Sequence, residues 1–127
     1  MLAFRSVGFL YLLSGFWCAL KPELAADSLG YKFSTALGHA EFFSVYGGLQ
    51  FGIAMAILIS SYIPPYRVAA CFFAFLISFG LFAFRLVSIL LIDQSSILIY
   101  MLCLEGFLVF LLAKIWRQLL NENNAVA

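Results

Sequence analysis

Two residues of opposite charge stand inside stretches otherwise too apolar to hold them. Arg85 interrupts the run from Phe72 to Ile92, and Glu105 interrupts Ile97-Leu-Ile-Tyr-Met-Leu-Cys-Leu-Glu-Gly-Phe-Leu-Val. An arginine carries its charge at any ordinary pH and presents five donors, so it suits a carboxylate or an anionic head group. A buried glutamate is a candidate acid–base group; paired with an arginine it is a counter-ion instead. A charge at the centre of a spanning helix costs roughly 2.5–3.5 kcal/mol on insertion scales, which makes such residues functional candidates by default. Something must therefore face Arg85.

The elements that position these groups follow from composition. The chain has 127 residues, 65% hydrophobic and 10% charged, with net charge +1 and mean hydropathy +1.08. Soluble domains are about one quarter charged, so an integral membrane protein is expected. About 20 residues are needed per spanning helix, so one four-helix transmembrane domain fills residues 1–127. The expected spans are about 3–20, 41–62, 67–92 and 96–116, with a surface loop over 21–40. Pro22 ends the first helix, since proline cannot continue the ladder. Ile63-Pro64-Pro65 makes the second turn, Asp93-Gln94-Ser95-Ser96 makes the third, and Asn121 to Ala127 is a polar tail. The first run also resembles a signal peptide, but it lacks a clean cleavage site, so retention as a helix is expected. Lys and Arg outside the spans favour cytoplasmic termini: Arg5, Arg67, Lys114 and Arg117 on one side, Lys21 and Lys32 on the other.

Depth then brings the polar residues together. Arg85 lies eight residues before Asp93 and Glu105 nine after Ser96, so both sit about 12–13 Å below the same surface at 1.5 Å per residue. Gln50, nine residues after Glu41, reaches about the same depth, and Ser14 lies about 10 Å from Lys21. The expected site is an outer-leaflet polar layer of Arg85, Glu105, Gln50, Tyr46, Ser88, Ser14 and Glu41, with His39 at its mouth. It is either a ligand site or a structural ion pair. At helical spacing Glu41, Val45, Gly48 and Gly52 share a face, with Glu41 placed at a helix N-terminus. Gly47, Gly48 and Gly52 are candidates for helix packing, since small residues let backbones approach in a membrane.

Other chemistry has thin support. Cys18, Cys71 and Cys103 stand singly in apolar runs, where cysteine packs as a small hydrophobe. A lone His39 without clustered partners makes no metal site; no metal and no cofactor are expected. The Phe-rich runs read as lipid-facing or packing residues. No basic block marks a nucleic-acid partner. The expected partners are the lipid bilayer and a membrane protein or a second copy of the chain.

Glu41-Phe-Phe-Ser-Val-Tyr-Gly-Gly-Leu-Gln-Phe-Gly, Arg85-Leu-Val-Ser and Glu105 resemble the DUF4345 family of small bacterial four-helix membrane proteins. The likeness runs from the first helix to about Trp116. Where members often carry a basic residue shortly after the first glutamate, this chain has Phe43 and Ser44. The resemblance implies the fold and a place in the bacterial inner membrane, and no activity. A looser similarity links the family to DoxX-like proteins, some of which accompany membrane oxidoreductases. The expected function is a non-catalytic accessory subunit packing against membrane partners. The alternatives are a binder or transporter of a small lipophilic or anionic ligand, and a membrane-embedded isomerase or proton-transfer enzyme using Glu105 or Glu41.

Overall fold

The computed structural model describes residues 1–126; Ala127, the end of the expected polar tail, lies outside the described residues. All the regular structure is helical among the described residues: α1 (Leu2–Leu20), α2 (Pro22–Ser28), α3 (Ala36–Phe42), a π-helical segment (Phe43–Leu49), α4 (Gln50–Ser60), α5 (Pro64–Leu91) and α6 (Ser96–Val126). Four stretches are long and apolar enough to cross a membrane: Leu2–Leu20, Ala36–Ser60, Pro64–Leu91 and Ser96–Asn124. The chain divides into two compact units, Met1–Tyr62 and the remainder from Ile63.

In the first unit α1 packs on α4 and the π segment. Phe4, Val7, Tyr11, Gly15 and Cys18 recur every three or four residues as the buried stripe of α1, the spacing of one helix face. They meet Ile53, Ala54 and Ile57 of α4, which are also buried. Three glycines set how close the helices come. A Cβ on Gly8 would stand 2.9 Å from Ile57 Cγ2; one on Gly15 would stand 3.1 Å from the Gly47 carbonyl oxygen; one on Gly47 would stand 3.3 Å from Ala19 Cβ. At the start of α1, Arg5 Nε donates to Ser61 Oγ at 3.1 Å, and its guanidinium lies 4.3 Å from the centre of the Tyr62 ring. This clasp ties the first turn of α1 to the end of α4.

The segment expected as a loop over 21–40 is more ordered than its polarity suggests. Pro22 opens α2, where its missing N–H is no loss. Thr35 caps α3, its Oγ1 accepting from Gly38 N at 3.1 Å, which satisfies one of the unpaired donors of the first turn. The second long helix thus begins at Ala36 rather than at residue 41. Glu41 consequently sits beyond the first turn, and the expected dipole role at the N-terminus falls instead to the Thr35 cap. The fourth helix likewise runs to Val126 rather than to 116.

In the second unit α5 and α6 form an antiparallel hairpin. Pro64 and Pro65 occupy the first positions of α5 after Ile63, an extended residue, as expected ahead of proline. Small residues on α5 face α6: Cys71, Ala74 and Ser78 are buried. Ser78 Oγ donates to the Ala74 carbonyl at 2.8 Å, and Cys71 Sγ donates to the Leu112 carbonyl at 3.6 Å. Leu112, Ile115 and Leu119 form the buried stripe of α6. Trp116 packs against Phe72 and Phe75 with ring centres 4.9 and 6.1 Å away.

Candidate functional site

The polar groups fall into two sets, one in each unit. In the second unit, Arg85 on α5 and Glu105 on α6 are joined through both carboxylate oxygens. Arg85 Nε donates to Glu105 Oε2 and Nη2 donates to Oε1, each at 2.7 Å. This two-pronged geometry is the strong form of the arginine–carboxylate contact. The side chains are 24% and 16% exposed, so the pair is largely withdrawn from its surroundings. Similar offsets from the α5–α6 turn, eight residues before Asp93 and nine after Ser96, bring the two to one level. Gly106, next to Glu105, allows the approach: a Cβ there would lie 3.1 Å from Phe82 Cε2. Ser88 stands one turn beyond Arg85 and is half-buried. With Gly80, Leu81, Phe84 and Arg85 it lines a groove of about 360 Å³.

Ser14, Glu41, Tyr46 and Gln50 belong to the first unit. Ser14 is exposed on α1 and Gln50 is half-buried at the start of α4. Tyr46 lies in the π segment, and its hydroxyl is 2.9 Å from that of Tyr31. Its ring stacks on Phe42 at 4.6 Å. Phe42 also meets Tyr31 and Phe33 edge-on, and Phe33 stacks on His39 at 4.9 Å. His39 Nε2 lies 3.7 Å from Glu23 Oε1, which ties α3 to α2. Glu41, Lys32 and these aromatic rings line a second groove, of about 290 Å³. The π segment helps to set this arrangement. Its wider turn is the kind of feature often found at functional sites, and the Gly47-Gly48 pair inside it has low helix propensity.

The packing candidates divide. Gly47 faces Ala19 of α1, whereas Gly48 and Gly52 have open space where a Cβ would stand. Among the described residues no three metal-binding side chains cluster. Sequence reasoning missed Tyr31, which lies in the segment expected as a surface loop, and the Arg5–Ser61–Tyr62 clasp, in which Arg5 and Ser61 lie 56 residues apart. The signal for that clasp was available: an arginine opening one helix and an aromatic closing the next antiparallel one belong to the same end of a hairpin. Comparison with protein-family models, with curated proteins and with solved structures returned no match.

Proposed function

We propose that the chain is a small multi-pass protein of the bacterial inner membrane, related to the DUF4345 family, with both termini cytoplasmic. It acts as a non-catalytic accessory subunit that packs against a partner membrane protein. The observation that carries this reading is the contrast among its glycines. Gly8, Gly15, Gly47 and Gly106 are filled by contacts of the chain itself, while Gly48 and Gly52 present an uncovered face of the same type. Small residues spaced by four are how helices approach closely in lipid, where no hydrophobic driving force separates helix from lipid. The Arg85–Glu105 contact points the same way. Both oxygens of the Glu105 carboxylate are engaged by the Arg85 guanidinium, which commits that side chain to holding α6 against α5.

Purification in a mild detergent or in native nanodiscs tests this. The expected result is a species larger than the monomer, returned to the monomer by combining Gly48→Leu with Gly52→Leu, with the thermal stability of the monomer unchanged. A wild-type chain that runs alone in nanodiscs, or a double variant that keeps the complex, rejects the reading. A second reading draws on the groove beside Arg85: a small lipophilic or anionic ligand held against Ser88 and the guanidinium edge. Thermal stabilisation of the purified protein by such a ligand, lost in Ser88→Leu, supports it; no stabilisation by any anionic lipid counts against it.

A further inference from the structure

The groove of the first unit has a composition that selects its occupant. Its walls are aromatic: Tyr31, Phe33, Phe42 and Tyr46. Its two charged side chains are Glu41 and Lys32. Neither belongs to the contacts that join His39 to Glu23 and Arg85 to Glu105. A simple anion in this groove would meet the Glu41 carboxylate, and a simple cation would meet the Lys32 ammonium. A molecule carrying both charges satisfies both. Alkylammonium groups are drawn to aromatic faces by the ring quadrupole, and aromatic cages are the recurrent way of holding them. Tyr31 is 48% exposed, so its ring is available. The volume, about 290 Å³, falls just below the lower end of the range of small-molecule pockets, about 300 Å³, which suits a head group better than a large ligand.

Location narrows the source. The groove is built from the segment between α2 and α3 and from the first turns of the next long helix, and α2 begins directly after the end of α1. This is the level of lipid head groups when those helices cross a bilayer. Exposed Trp17, Leu24 and Leu37 lie on the elements around it, and tryptophan favours that level. We propose that the groove binds the ammonium–phosphate zwitterion of an ethanolamine-type phospholipid, with the ammonium among the Tyr31, Phe33 and Tyr46 rings beside Glu41 and the phosphate toward Lys32. This rests on the helices spanning a membrane and is independent of what packs against Gly48 and Gly52.

Native mass spectrometry of the full chain in detergent, with equal amounts of phosphatidylethanolamine and phosphatidylglycerol, tests the proposal. The expected result is about tenfold preferential retention of the ethanolamine lipid, abolished in Glu41→Gln, in line with the strength of charge-assisted contacts. Tyr31→Leu removes the ring and the preference. Tyr31→Phe keeps the ring, loses only the bond to Tyr46, and retains the preference. Asp93→Asn, at an exposed carboxylate of the second unit, is the control and leaves retention unchanged. Displacement by free phosphoethanolamine shows that the head group alone suffices; failure to displace a bound lipid shows that the lipid is the source. Equal retention of the two lipids by the wild type, a preference that survives Glu41→Gln, or its equal loss in Asp93→Asn overturns the proposal. The oligomeric state is read in the same spectra, so failure here is distinct from failure of the accessory-subunit reading.

Discussion

In the first unit glycines bring α1 close to α4 and the π segment; in the second a charged side-chain pair joins α5 to α6. Gly8, Gly15 and Gly47 leave so little room that a single methyl would touch the neighbouring helix or segment. The first unit keeps its polar groups at its two ends, in the Arg5–Ser61–Tyr62 clasp and the aromatic groove. The second places a cation and a carboxylate between its helices and closes them on each other. Close approach gives affinity through many weak dispersion contacts, each about 0.1–0.2 kcal/mol, and tolerates no added volume. An ion pair gives register through one strong contact and tolerates no loss of a partner. The two units are thus vulnerable to opposite kinds of substitution.

Removing one charge should have the largest effect. Arg85→Leu, or Glu105→Leu, leaves the other charge stranded, and the loss is roughly 3 kcal/mol, the lower end for a broken buried pair. Combining Arg85→Leu with Glu105→Leu should recover most of it. Unfolding in mixed micelles, followed by circular dichroism, gives the three values; a double variant no better than either single one would break the contrast between the units. Next in size, Gly15→Leu should cost about 1–3 kcal/mol by overpacking, because the obstacles are the Gly47 carbonyl and the Phe51 amide rather than movable side chains. Gly48→Leu should leave the lone chain within about 0.5 kcal/mol of wild type. Similar losses for both would mean that the open face is occupied within the chain. Arg5→Leu should cost about 1 kcal/mol, the combined scale of one hydrogen bond and one exposed cation–π contact, with Ser61→Ala costing less. The smallest effect is expected for Tyr31→Phe, about 0.5 kcal/mol for a single exposed hydroxyl pair.

The four apolar helices were legible because each carries its own signal: length, hydropathy and a proline or polar turn at the boundary. The level shared by Arg85 and Glu105 was legible for a related reason. A short turn fixes the register of an antiparallel pair, so counting residues from Asp93 and Ser96 is enough. Where the count crosses irregular backbone it fails. The phase of Gly47 against Gly48 depends on a π turn that no local pattern announces, and the helix start at Thr35 was masked by the polar residues around it. The aromatic groove was hidden by long-range pairing. Tyr31 and Tyr46 lie 15 residues apart, on either side of a cap whose position sets their meeting.

The Arg85–Glu105 contact also constrains how the chain is made. Synthesis runs from the N-terminus, so α5 emerges with its arginine before the glutamate exists, and twenty more residues must be translated before the two can meet. A helix entering lipid alone in that interval would carry the full cost of a lone cation. For helices that cross a bilayer, entry of the α5–α6 hairpin as one body is therefore expected, since it spares α5 that cost. Lengthening the short Asp93–Ser95 connection should then delay membrane insertion more than it weakens the finished protein.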